Sequence, residues 1–453
     1  MSSRSGIRVL GAGLAAMAAV LSACSDGDSS ASGGRQTLQL WFWGASPQQQ
    51  KTMQQVLVDG FDASQSKYAL KVTFNNAVDK NVQVALSANE GPDIVYGSGP
   101  AFSAAYAVQN KLADMTPYAT KYGWKDRILA PMYESGTVHG KLYSLPNSIN
   151  NLGVFYNKKV LAKLGVGVPT TYAELTAAMD KAAKAGMYPS VTGNKGWKPV
   201  NQNYISMFLT HVAGGKTVYD ALQGKIKWTD PKIVKAVDDS AAFYKKGYLG
   251  GKDYANLNFQ ESMQLLAQGK SPFFFGPTLA FQFASDSFND AAGNTSDLGF
   301  APFPNITPGL PSPSGTLGTT ASLSINAHSA HKDGAAEVID YMMSDRFAQQ
   351  MNKTWPGYWG VPLKNFDLDP ASYTGLSKAY VQSVKDTVAT VAKGNYGFFA
   401  GTFFPPATAT AFTDIDGVWL GTESTTDFLD KIQTTFAAEK AKGLVPPIPE
   451  PAG

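Results

Sequence analysis

Strand-patterned and helix-patterned segments alternate along most of this chain, and that alternation restricts it to one broad architecture. Thr37–Trp43 (TLQLWFW) is a short β-rich run bounded by Gly44 and Pro47, which predicts a buried strand. Gln48–Phe61 then carries Met53, Val56, Leu57 and Phe61 at helical spacing. Leu70–Phe74 reads as a second strand, Val82–Leu86 as part of a short helix and Asp93–Tyr96 as a third strand. The alternation resumes after Pro146, with helices expected over Tyr172–Ala185, Val234–Tyr244 and Ala335–Met343. Such a sequence predicts an α/β fold of mostly parallel sheets with helices on both faces. At 453 residues there is material for two or three cores, and no repeat of 20–50 residues points to a solenoid. Two interruptions, Asn147–Gly153 and the Pro/Gly-dense Ala301–Ser314, predict crossings between two lobes, hence a cleft that can hinge.

The N-terminus bears on location. Arg4 and Arg8 precede an apolar run, Val9–Leu21, that is short of the ~20 residues needed to cross a bilayer as a helix. The run ends in Leu21-Ser22-Ala23-Cys24, which resembles the bacterial lipobox whose cysteine is lipidated and becomes the first residue. An ordinary signal peptide with a chance free cysteine is the alternative. Ser25–Arg35 (SDGDSSASGGR) reads as a flexible tether with a root-mean-square reach of about 18 Å. The expectation is a protein anchored by lipid at Cys24 on the extracellular face of the bacterial cytoplasmic membrane. Cys24 is the sole cysteine, so no disulfide framework forms within the chain. The 38 Lys and Arg against 35 Asp and Glu give +3, and loss of Arg4 and Arg8 with the leader leaves +1. No basic stripe is present, which argues against nucleic acid as a partner.

Catalytic patterns are sparse. Gly215-Lys216-Thr217 suggests a phosphate loop, but Thr210 stands where its first glycine belongs. There is no Gly-x-Ser-x-Gly and no His-Glu-x-x-His. His328 and His331 have ligand-like spacing without a third ligand nearby, and Asp414-x-Asp416-Gly417 is half a calcium loop. No catalytic machinery can be assigned from these residues and no metal or cofactor is expected, while an enzyme stays unsupported rather than excluded.

Aromatic residues at 12% are abundant and unusually placed. Trp41 and Trp43 share one strand face, whereas Trp41 and Phe273–Phe275 read as packing residues. Trp197 lies in a Gly/Lys loop, Trp355, Tyr358 and Trp359 crowd the turn TWPGYWGVP, and Phe398, Phe399, Phe403 and Phe404 fall in another Gly/Pro segment. A pyranose presents C–H groups on its faces and hydroxyls on its rim. Its site needs flat aromatic platforms together with amides or hydroxyls. Asn147, Asn150, Asn201, Gln202 and Asn203 could supply the amides.

Lipobox, tether and then TLQLWFWG, EGPDIVYGSG, GKLYSLP, FYNKKVLAKLGV-x-VPTTYAEL and FFFGP together resemble the extracellular solute-binding proteins of carbohydrate ABC importers, the maltose-binding-protein-like family. The resemblance implies a type II periplasmic-binding-protein-like fold of two hinged α/β lobes. It also implies a sugar in the cleft and delivery by a monomer to the transmembrane subunits of a permease. Its cleft positions fall on Trp43, on Asn150 six residues before Tyr156-Asn157-Lys158, and on Asn203 and Tyr204. Gly276-Pro277 matches a Gly-Pro that precedes a stacking tryptophan, but Thr278 follows here, and Gly97 stands where another tryptophan would be. The expected ligand-binding set is Trp43 and Ser98 from the first lobe and Asn150 at the crossing. Trp197, Asn203, Tyr204, Gly276, Thr278, Trp355, Tyr358, Trp359 and Phe399 complete it from the second lobe and its loops. The expected boundaries are a leader at 1–23, the lipidated cysteine and tether at 24–36, a first lobe of 37–148 plus 302–345, a second of 149–301 plus 346–446, and a solvated Pro-rich tail at 447–453. The alternatives are a non-sugar solute on the same scaffold (peptide, polyamine or metal) and an anchored enzyme acting on polysaccharide.

Overall fold

The computed structural model describes residues 34–364 and 368–452. The leader, Cys24 and most of the tether lie outside the described residues. The chain opens with β1 (Gln36–Trp43), continuous helical turns over Pro47–Ser64, and β2 (Tyr68–Asn75) parallel to β1. Helix α1 (Val78–Ser87) leads to β3 (Ile94–Gly97), also parallel to β1, and α2 (Pro100–Ala107) follows. The short β4 (Leu145–Pro146) ends this stretch, and β5 (Asn150–Asn157) opens a second sheet. The second body adds α3 (Asn201–Phe208), α4 (Phe259–Ala267), β6 (Phe273–Pro277), β7 (Leu298–Pro302) and β8 (Gly315–Gly318). The chain returns to the first sheet as β9 (Ser322–Ile325), continues through α5 (Asp345–Thr354), and closes the second sheet with β10 (Tyr396–Phe398).

Two five-stranded sheets result, with spatial order β2-β1-β3-β9-β4 in the first and β10-β8-β5-β6 in the second, where β7 also pairs with β5. The two-lobed α/β architecture is the one expected. The ladders, however, are mixed rather than mostly parallel. β9 runs against β3 and β4, and β5 runs against β6, β7 and β8. The two reversed strands are the two that follow a crossing. Each enters its sheet from the cleft side, so it must run opposite to strands that end there.

Local chemistry fixes the helix starts. Thr171 and Glu174 form a capping box ahead of Tyr172–Lys184, as do Asn258 and Glu261 ahead of α4. Asp230 caps Pro231–Lys245 with proline in its first turn. Apolar faces then pack on the sheets, and Phe42, Phe155, Phe273–Phe275 and Trp228 are at most 1% exposed.

Three boundaries move. β8 belongs to the second sheet, so the return crossing is at 319–321 rather than at Ala301–Ser314. α5 and the turn after it pack on the first lobe, with Trp355, Tyr358 and Trp359 all against Phe42 of β1, so that lobe extends beyond 345. The C-terminal tail is not free in solvent. Pro449 and Pro451 are buried, the Tyr396 hydroxyl donates to the Glu450 carbonyl at 2.9 Å, and Ala452 N–H donates to Gly394 O at 2.9 Å. Prolines carry no N–H to leave unsatisfied, so such a segment can dock on a surface at little polar cost.

His211 lies in the second-lobe core, fully buried, with Phe303 beside its ring. The Asn305 Nδ2 donates to the carbonyls of Leu310 and Pro311, which turns Oδ1 toward His211 Nδ1 at 2.8 Å and makes Nδ1 the protonated nitrogen. Burial lowers the imidazole pKa from 6.5 to about 4, against an opposing push from the Asn305 hydrogen bond. Because the unfolded chain binds the proton more readily, this contribution is complete above pH 6.5 and is lost as pH falls toward 4. Its size is on the order of 3 kcal/mol. Urea unfolding at pH 7 and pH 4.5 should therefore show a smaller acid loss in His211→Gln than in the wild type. Equal losses would mean that the imidazole is not held neutral.

Candidate functional site

The carboxyl ends of the parallel strands in the two sheets converge on the crossing segments, which is where ligands of α/β sheets bind. In the first lobe β1, β2 and β3 end at Trp43, Asn75 and Gly97. In the second, β6, β8 and β10 end at Pro277, Gly318 and Phe398, and the reversed β5 begins there with Asn150 opposite Gly318.

The crossings are joined side by side. Asn147 N–H donates to Ala321 O at 3.0 Å, and Asn147 Oδ1 accepts from Ala321 N–H at 2.8 Å. Ser148 Oγ accepts from Thr320 N–H at 2.9 Å. Asn147 Nδ2 also donates to the Tyr96 hydroxyl at 3.1 Å, which lies 2.9 Å from that of Tyr358. Burial pushes the pKa of both tyrosines up, so they remain neutral hydrogen-bonding groups. Asn150 and Thr278 extend this network: Thr278 Oγ1 donates to Asn150 Oδ1 at 3.0 Å, and Asn150 Nδ2 donates to Thr320 Oγ1 at 2.8 Å. Their polar atoms are thus engaged with the hinge, which makes them residues that hold the floor of the cleft.

On the first-lobe lip, Trp43 is half-buried with its ring edge-on to Tyr96 at 5.2 Å. Its indole N–H donates to Asp79 Oδ1 at 3.2 Å, and the exposed Ser98 donates to Asp79 Oδ2 at 3.1 Å. The Asp79 carboxylate, from the first turn of α1, therefore orients both expected residues. The sequence carried a signal for it only as an acid at a helix start. Where the family would place a tryptophan at 97, the ring of Phe102 occupies the space; a Cβ on Gly97 would lie 2.1 Å from it.

On the second-lobe side a cavity of about 40 Å³ is lined by Asn150, Trp197, Asn203, Phe259, Thr316 and Phe399, among others. Trp197 is 50% exposed at its rim, edge-on to Phe259 at 6.2 Å. Asn201 and Gln202 spend their amides on backbone carbonyls of Thr413 and Ala409. Asn203, one position on, is 1% exposed with neither Nδ2 nor Oδ1 partnered, and the nearby Thr316 Oγ1 is likewise unpartnered. Buried polar atoms normally find partners, so an orphaned amide on a residue lining a cavity calls for an explanation. Phe259, which opens α4, and Thr316, inside β8, were not singled out from sequence.

Five expected residues lie elsewhere. Tyr204 is fully buried in the second-lobe core, its hydroxyl donating to Gly193 O at 3.3 Å. Trp359 is fully buried, and Trp355 and Tyr358 are 5% and 6% exposed, stacked on each other at 4.6 Å in the first lobe. Their Pro/Gly surroundings read as a surface turn, but the turn tucks under β1, where large rings gain more by burial than by exposure. Gly276 is a ladder residue paired with Gly153, and a Cβ there would meet the Phe274 ring at 2.8 Å.

Two α/β lobes joined by paired crossings, with aromatic and amide side chains where their strands end, are the architecture on which the comparisons converge. Residues 44–349 match the family described as bacterial extracellular solute-binding protein, and the chain belongs to that family. It is 26% identical over 349 residues, covering 74% of this chain and 77% of the relative, to the diacetylchitobiose binding protein DasA of Streptomyces coelicolor. A match to a probable sugar-binding periplasmic protein of Mesorhizobium japonicum is 30% identical but spans only 20% of this chain and 22% of that one. Among solved structures, a chitin oligosaccharide binding protein superposes with a TM-score of 0.71 at 20% identity, over 90% of this chain and all of the other.

Proposed function

We propose that this protein captures a sugar or oligosaccharide outside the cell and delivers it to the membrane permease of an ABC importer, held at the membrane by lipid on Cys24. The observation that carries the reading is the unpartnered Asn203 amide in a cavity walled by Trp197, Phe259 and Phe399, none of whose lining residues is charged. Neutral amide and hydroxyl groups beside flat rings complement a polyhydroxylated ring. The names of the relatives DasA and chitin oligosaccharide binding protein agree with a carbohydrate ligand.

The chain's own residues account for closure. Trp43 and Asp79 belong to one lobe, Trp197, Asn203 and Phe399 to the other, and the Asn147–Ala321 pair ties the crossings between them. A ligand that touches both lips favours the closed form by its extra contacts there, and only by those. The closed form is the one a permease would receive.

A thermal-shift screen against mono- and oligosaccharides, with amino acids, peptides, polyamines and metals as controls, tests this reading. A ligand at a hundredfold excess over its Kd adds about 2.7 kcal/mol to the folded state, so the midpoint should rise for one group of sugars. A rise only with a control solute would replace sugar by that solute, and the scaffold reading would remain.

A further inference from the structure

The second-lobe cavity is too small for the ring that the cleft would hold. A cavity takes one water at roughly 10–15 Å³, and drug-sized sites run to several hundred. At about 40 Å³ this one seats a group of a few heavy atoms. It is a side chamber, with the exposed face of Trp197 at its mouth as the platform for a ring.

Its walls are of two kinds. Leu152, Phe259, Pro277, Leu279 and Phe399 present carbon. Asn203 on α3 and Thr316 on β8 also line it, and their polar atoms, an amide donor, an amide acceptor and a hydroxyl, are buried without partners. A substituent suited to this chamber needs an apolar end for the carbon walls, a donor and an acceptor. Because a secondary amide is trans, its N–H and C=O point in opposite directions, so it needs partners from two elements rather than one. A helix and a strand supply them here. A hydroxyl or hydroxymethyl group can engage the polar atoms but places little or no carbon against the apolar walls.

From this geometry we propose that the chamber recognises an acetamido substituent, so that the ligand is an N-acetylated sugar. This rests on the sugar-binding reading above. The acetamido N–H donates to Asn203 Oδ1, its carbonyl accepts from the Thr316 hydroxyl, and its methyl lies against Phe259, Leu279 and Phe399. Asn203 Nδ2 is then left to donate to a neighbouring sugar oxygen.

Calorimetry on matched pairs tests it: N-acetylglucosamine against glucose, N-acetylgalactosamine against galactose, and N,N′-diacetylchitobiose against cellobiose. Each pair differs only in acetamido against hydroxyl. At least one acetamido member should bind about tenfold or more tighter than its partner, since the wrong partner leaves buried polar groups unpaired. Asn203→Ala and Thr316→Val should each bring that ratio to within about threefold. Asn203→Ala should not lower the melting midpoint of the sugar-free protein, because its amide makes no hydrogen bond within the fold. A lower midpoint with an unchanged ratio would make Asn203 structural and overturn the assignment; Thr316→Val gives the same reading from a second element. Sugars that bind with no acetamido preference would sink this inference and leave sugar capture standing. Failure of every carbohydrate to bind would remove both.

Discussion

Trp359→Ala is expected to lower the stability of the folded protein by about 3–5 kcal/mol, the range for emptying a large aromatic from a core. The indole is fully buried, stacked with Phe42 at 5.9 Å and edge-on to Phe347 at 5.3 Å, with Tyr358 at 5.3 Å and Tyr96 at 6.2 Å. These rings span β1, β3, α5 and the turn after it, so a hole there cannot close without shifting several elements. Urea unfolding should show a lower midpoint with an unchanged slope. The Tyr358 hydroxyl pairs with that of Tyr96, which accepts from Asn147 at the crossing, so some loss of ligand affinity should accompany the loss of stability. A variant with wild-type stability and greatly weakened binding would instead put Trp359 at a ligand surface.

Trp197→Ala should do the opposite. Its ring is half exposed and touches the fold chiefly through the edge contact with Phe259, so unfolding should move by no more than about 0.5 kcal/mol. If the ring is the platform at the mouth of the chamber, binding should weaken by about 1–3 kcal/mol, or roughly 5- to 150-fold in Kd by calorimetry. The pair of variants separates two tryptophans that look alike in sequence. One loses the fold, the other the ligand. An unchanged Kd in Trp197→Ala would leave Phe399 and Trp43 as the remaining aromatic surfaces and would remove the platform from the acetamido chamber.

Much of the fold was legible because its signals are local. Thr37–Trp43, Leu70–Phe74 and Ile94–Tyr96 lie within strands, and the helix expected from Tyr172 begins there, behind the Thr171 cap. The crossing at Asn147–Gly153 was readable from polar residues between apolar runs. The return crossing was not, because Ala301–Ser314 is dense in proline while the actual passage, Thr319–Ala321, carries no comparable punctuation. The mixed ladders were also hidden, since strand direction depends on the side from which a chain enters a sheet, and period-2 patterning is the same in both directions.

The site divides in the same way. Trp43, Ser98, Asn150, Thr278 and Phe399 could be placed near the cleft because each follows or begins a strand, and position along the chain fixes which end of a sheet a residue occupies. Asn201, Gln202 and Asn203 are equivalent in sequence, yet two are spent on backbone carbonyls and only the third is left without partners. Likewise Trp197 and Trp359 both sit among Gly and Pro, and only packing decides that one is half exposed and the other fully buried. Sequence alone determined the α/β class, the presence of two lobes and the ends of the sheets at which a solute would meet them, because these follow from periodicity and from residues close along the chain. The tertiary structure decided which aromatics are buried and which exposed, which amides lack partners, and that Asp79 and Thr316 stand beside the expected residues. Those outcomes depend on contacts between residues from 19 to more than two hundred positions apart, and one-dimensional order does not encode where a side chain finds its partner.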